Sequence, residues 1–133
     1  MKRYEIRVSD LMSTAVVTIK ASAPSSGAHA EMQVGVIHHL PVVDDKNRVV
    51  GVLSDRDLLR AHGTSRRVSE IMTRDPITVR PDAMGHVAAS AMIENGVNSV
   101  LVTEEDGTLV GVVTSSDFIE LARRALLGLS LER

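Results

Sequence analysis

Two short segments of this chain carry residue types that grip polar ligands: Ser54-x-x-Asp57 and Thr114-x-x-Asp117. Each follows a glycine and two apolar residues, in "GVLSDRD" and "GVVTSSD". A hydroxyl and a carboxylate one turn apart at a strand–helix junction can do two jobs. As a capping box, the hydroxyl accepts from a first-turn N–H while the acid reaches back and complements the helix dipole. Each such cap contributes about 1 kcal/mol. As a ligand grip, the hydroxyl and the helix N-terminus hold an anion, and the carboxylate holds the paired hydroxyls of a ribose. Arg56 is the nearest cation for a phosphate, and Ser116 stands at its place in the second segment. Gly51 and Gly111 fit a bulge or a close backbone approach. The residues alone leave both jobs open.

Other chemistries find less support. His38 and His39 are adjacent, so on a strand they point to opposite faces. His29, His62 and His86 have no ligand spacing, and no metal site is expected. There is no P-loop, no GxGxxG and no nucleophile elbow around Ser54 or Ser115, so an enzyme is not expected. The chain has no cysteine, which excludes disulfides, Cys-ligated zinc and a thiol nucleophile. With 15 basic and 17 acidic residues there is no broad basic field for nucleic acid. Arg66-Arg67 and Arg123-Arg124 read as solvated pairs. No apolar run approaches the roughly 20 residues that span a bilayer, and the N-terminus lacks a signal-like apolar stretch. A cytoplasmic protein without membrane association is expected.

The elements that must position the two segments are themselves duplicated. Residues 8–59 align over 68–119 without a gap, at an offset of 60. Identical pairs include Val8/Val68, Met12/Met72, Met32/Met92, Gly51/Gly111 and Asp57/Asp117. Each copy reads β-α-β-β-α. "VVTIK" and "ITVR" are short β-branched strands. A helix follows. In the second copy Asp82 is the expected N-cap, Val87, Ala88, Ala91 and Met92 form the apolar stripe, and Gly96 ends it. In the first copy "APSSGAHAEMQVGV" is rich in poor helix formers, which predicts a shorter or more mobile helix. Next come hairpins, "HLPVV"/"RVVGVL" around "DDKN" and "SVLVT"/"TLVGVV" around "EEDG". A second helix starts at Ser54 or Thr114. The first ends near Gly63, and the second runs on through "DFIELARRALLGL". Aromatic residues are 2% of the chain, so the core must come from Val, Ile, Leu, Met and Ala. The fold class expected is α+β, with repeats at 8–62 and 68–124 packed about a pseudo-two-fold axis.

The set "DLMSTAVVTI", "EIMTRDPITV", "IHHLPVVDD", "GVLSDRD" and "GVVTSSD" resembles a pair of CBS (cystathionine β-synthase) domains, a Bateman module. The resemblance covers Val8 to about Leu121. It implies a sensor that binds AMP, ADP, ATP or S-adenosylmethionine in the cleft between the repeats and signals to an effector protein. No obligatory cofactor is implied. It gives Ser54 and Thr114 the hydroxyl beside a phosphate, and Asp57 and Asp117 the ribose. A second motif lines the base. Here it is Ile37-His38-His39-Leu40-Pro41 and Val97-Asn98-Ser99-Val100-Leu101, so His38, His39, Pro41, Asn98 and Ser99 join the site. Met12 and Met72, in the segment before the first strand, are further ligand contacts. The stripe in "FIELARRALLGL" predicts a homodimer. The competing reading is a structural dimerisation or protein-interaction module in which the Ser/Thr–Asp pairs are only caps.

Overall fold

The computed structural model of the chain describes residues 5–35, 39–61 and 66–131. The first repeat contributes α1 (Val8–Leu11), β1 (Ile19–Lys20), α2 (Ser25–Gly35), β2 (His39–Val43), β3 (Val49–Ser54) and α3 (Asp55–Arg60). The second contributes α4 (Val68–Ile71), β4 (Thr78–Val79), α5 (Gly85–Asn95), β5 (Ser99–Thr103), β6 (Leu109–Thr114) and α6 (Ser115–Leu126). The sheets are ordered β1-β2-β3 and β4-β5-β6. β1 runs parallel to β2 with Ile19 opposite Val42, and β4 parallel to β5 with Val79 opposite Val102. β2 and β3 are antiparallel, with His39 opposite Ser54 and Val42 opposite Gly51.

The sequence reading missed α1 and α4. They are four-residue turns, too short to show a helical period. Each is held by an acid at its third residue: the Arg7 N–H donates to Asp10 Oδ2 at 2.8 Å, and the Arg67 N–H to Glu70 Oε1 at 3.0 Å.

These turns are exchanged between the repeats. One compact unit joins the segment ending at Val16 to Ile77–Asp106 and to the chain from Val110 onward. The other joins Val17–Pro76 to Gly107–Leu109. So each sheet packs on the arm of the other repeat. In the first unit the Val8 N–H donates to the Ala83 carbonyl at 2.9 Å and Ser9 to Pro81 at 3.0 Å. In the second unit Val68 donates to Ala23 and Ser69 to Ala21, both at 2.9 Å. Val8 lies in one core with Leu11, Ala88, Met92, Val100, Val102 and Val113. Val68 lies in the other with Ile19, Ala28, Met32, Leu40, Val42 and Leu53.

Two expectations need correction. α2 is not shorter than α5: both have 11 residues. Its Ala28 and Met32 are buried in the core, and the Ser25 N–H is tied to the Arg66 carbonyl at 2.9 Å. Tertiary packing of this kind overrides weak propensity. Asp82 does not cap α5. Met84 is the N-cap, and the Asp82 carbonyl accepts from Arg7 Nη1. Gly96 does close α5, in the left-handed conformation at φ 63°. The residue at which α3 was expected to end, Gly63, lies outside the described residues.

Candidate functional site

The two Ser/Thr–Asp segments sit at equivalent strand–helix junctions. Ser54 is the N-cap of α3. Its hydroxyl accepts from the Asp57 N–H at 3.1 Å, and its own N–H donates to Asp57 Oδ2 at 2.9 Å. Thr114 is the N-cap of α6. Its N–H donates to Asp117 Oδ2 at 2.8 Å, and its hydroxyl donates to the same oxygen at 3.3 Å. Capping is therefore real in both copies.

The glycine before each cap permits a tight approach of the exchanged arm. A Cβ on Gly51 would lie 2.6 Å from Met72 Sδ and 2.8 Å from the Thr73 carbonyl oxygen. A Cβ on Gly111 would lie 2.7 Å from Met12 Sδ and 2.9 Å from the Ser13 carbonyl oxygen. Paired backbone hydrogen bonds fix these approaches, between Val52 and Thr73 (2.9 Å both ways) and between Val112 and Ser13 (2.9 and 3.0 Å). Met12 and Met72 are half-buried and cover the glycines.

The second motif lies beside the first within its own repeat. Exposed His39 is the strand partner of Ser54, and buried Pro41 faces Val52. The exposed Asn98 accepts from the Ser115 N–H through its carbonyl at 2.9 Å, and Ser99 opens β5, half-buried. Arg56 and Ser116 are exposed in the first turns of α3 and α6. His38 lies outside the described residues.

The sequence reading missed the residues that close around Asp57. Arg60 Nη2 donates to Asp57 Oδ1. Thr73 Oγ1 makes long contacts of 3.5 and 3.4 Å with both carboxylate oxygens. The i,i+3 spacing of Arg60 was a usable signal. Thr73 had none, because its approach depends on the exchanged arm.

Among the described residues, no group of three or more His, Asp or Glu could hold a metal. No described helix is long and apolar enough to cross a membrane. An apolar groove of about 520 Å³ runs between α1, α5 and α6, lined in part by Ile6, Leu11, His86, Phe118, Leu121 and Leu131. None of the motif residues lines it.

The CBS domain family model matches residues 8–63 and 68–124. The chain belongs to the CBS-domain family. A CBS domain-containing protein of Dictyostelium discoideum is 30% identical, over 92% of this chain and 94% of that protein. Homoserine O-acetyltransferase of Methanococcoides burtonii is 31% identical over 86% of this chain, but the match spans only 24% of the enzyme. Among solved structures, CBSX2 in complex with AMP superposes with a TM-score of 0.82 at 26% identity, covering 91% of this chain and 98% of that one. The CBS domain pair of protein MJ0100, in complex with 5′-methylthioadenosine and S-adenosyl-L-methionine, gives 0.75 at 29% identity, covering 87% and 98%. The fold is thus two tandem α+β CBS repeats, each with a three-stranded sheet and helices.

Proposed function

We propose that this CBS pair is a regulatory module that binds an adenosine-type ligand through its Ser/Thr–Asp segments and passes the resulting change to an effector protein. The observation that carries the reading is the doubled junction. In each copy a hydroxyl and a carboxylate share the first turn of a helix, over a glycine pressed against the exchanged arm. CBS pairs of the same fold hold AMP, 5′-methylthioadenosine and S-adenosylmethionine. In one unit Ser54, Arg56 and Asp57 are the sugar and phosphate end and His38, His39, Pro41 and Met72 the base end; in the other Thr114, Ser116 and Asp117 are the sugar and phosphate end and Asn98, Ser99 and Met12 the base end. The module is a regulator and not a catalyst. It works in the cytoplasm as a homodimer, for which exposed Ile119 and Leu126 on α6 offer an apolar face. The ligand acts by binding one arrangement of the module better than another.

The test is thermal unfolding with AMP, ADP, ATP, S-adenosylmethionine, GTP or buffer. A ligand at 100 times its Kd adds about 2.7 kcal/mol, a rise of several degrees. An adenosyl compound should raise the midpoint and GTP should not. If none does at millimolar concentration, the segments are caps and the module acts by assembly alone.

A further inference from the structure

The chain turns back on itself as it leaves α6. The Leu127, Gly128 and Leu129 N–H groups donate to the Arg123, Ala125 and Arg124 carbonyls at 3.0, 3.1 and 2.9 Å. Gly128 takes a φ of 72°, the left-handed conformation that reverses a chain after a helix. Arg124 Nε then donates to the Ser130 carbonyl. These bonds set the course of residues 127–131 and deliver one side chain to the groove between α1, α5 and α6. Leu131 packs against the core that holds Ile6, Val8 and Leu11, and it lines the groove with Phe118 and Leu121. The apolar seat is particular to this unit. At the offset of 60, the positions that match Ile6, His86 and Ala89 are Arg66, Ser26 and His29.

The groove wall shared with Leu131 is the first arm. Ile6 precedes α1 and Leu11 ends it. The next residues, Met12 and Ser13, close on β6. Met12 Sδ lies over Gly111, and Ser13 exchanges backbone hydrogen bonds with Val112 at 2.9 and 3.0 Å. β6 then ends at Thr114. A packed path therefore runs from Leu131 through α1 to the strand that carries the Thr114–Asp117 junction, all inside one compact unit.

We propose that residues 127–131 are a strap that holds the first arm on β6 and so regulates the Thr114–Asp117 junction. The regulation rests on the adenosine-ligand reading; the hold on the arm does not. α1 has 4 residues, too few to keep a helical turn without packing. Releasing Leu131 returns to water the apolar surface that it covers, and the arm loses a neighbour. The arm then has two settings, strapped and free, and the ligand binds the strapped one better. By reciprocity, bound ligand tightens the strap by the factor through which the strap tightens the ligand.

Hydrogen exchange of the ligand-free protein is the first test. Leu131→Ala removes the seated side chain, and Arg124→Ala cuts the tie to Ser130 from outside the groove. Each should speed exchange at Met12, Ser13 and Val112 about tenfold, and leave Val68, Met72 and Thr73 of the other arm at the wild-type rate. Unchanged exchange in the first arm overturns the strap. So does an equal rise in both arms, which would make Leu131 a contributor to global stability alone. Isothermal titration with AMP and S-adenosylmethionine is the second test. Both variants should weaken whichever compound the wild-type chain binds by about fivefold or more. Unchanged affinity in a variant whose first arm exchanges faster overturns the regulation. Binding of neither compound by the wild-type chain overturns the adenosine-ligand reading and the regulation with it, while the exchange rates still decide the strap.

Discussion

Helices α2 and α5 occupy the same place in their repeats and have the same length, yet their sequences share little. α5 is "GHVAASAMIEN", rich in alanine and closed by a left-handed glycine. α2 is "SSGAHAEMQVG", with serines and an interior glycine. What they share is the pair that points inward: Ala28 and Met32 against Ala88 and Met92, all buried. Burial of Ala28 and Met32, with the first turn tied at Ser25, supports a helix that propensity alone would disfavour. The largest effect should come from removing that burial. Met32→Ala and Met92→Ala should each cost about 2–5 kcal/mol. They should differ in kind: Met32→Ala should free the α2 amides to exchange well below global unfolding, while α5 in Met92→Ala keeps its protection until the unit opens. Hydrogen exchange distinguishes the two, and equal local loss in both helices would mean that propensity does not separate them.

The junctions make the opposite comparison, because there the repeats agree closely. A Cβ added at Gly51 or Gly111 would meet the exchanged arm at almost the same distance, 2.6 or 2.7 Å from a methionine sulfur. A methionine tip can move, but the carbonyl oxygens of Thr73 and Ser13 are held by paired backbone bonds. Gly51→Ala and Gly111→Ala should therefore each destabilise by about 1–3 kcal/mol, by similar amounts. Denaturant midpoints check this. A neutral effect at only one glycine would show that its arm gives way.

How much of this was legible in the residues follows from range. The repeat, the strands, the caps at Ser54 and Thr114 and the stop at Gly96 all rest on local pattern. The exchanged arms do not. "VSDL" and "VSEI" are too short for periodicity, and the partners of Val8 and Val68 lie in the other repeat. Asp82 looked like a cap by residue type, but the chain enters α5 from Met84, and the Arg7 side chain takes the Asp82 carbonyl instead. Pro41 shows a further limit. In the second repeat the Leu101 N–H donates to the Ile77 carbonyl at 3.2 Å. Pro41, at the matching place in the middle strand β2, has no N–H to give. Strand β2 still forms, because the next residues, Val42 and Val43, pair with β1.

The carboxylates come next in size. Asp57→Asn leaves a buried position short of its charge partner Arg60, and should cost about 1–3 kcal/mol in the absence of ligand. Asp117→Asn, half-buried, should cost about 1 kcal/mol or less, the value of a weakened cap. Thermal unfolding of the two variants without ligand would sharpen the contrast, and equal losses would break it.

The smallest effect concerns the hairpin turns, where the repeats again part. Asp44 anchors the first turn. It accepts from the Arg48 and Lys46 N–H groups, both at 2.9 Å, and from Arg48 Nε at 2.8 Å. Glu104 holds the matching place in the second turn, which Gly107 supplies with its positive φ of 90°. The Arg48 N–H is the main cause that lowers the Asp44 pKa below 3.8; desolvation opposes it, and the Lys46 N–H and Arg48 side chain add to it. A carboxylate whose folded pKa is depressed stabilises the fold above its unfolded value, and loses that contribution as pH falls through the folded one. Asp44→Asn should therefore cost a little stability at pH 7 and flatten the decline at acid pH. Urea midpoints measured from pH 6 down to below 3.8 for wild type and variant read this directly. Parallel curves would mean that the acid limb belongs to other carboxylates, and that the first turn is held by its backbone and Asn47, at φ 63°, as the second is by its glycine.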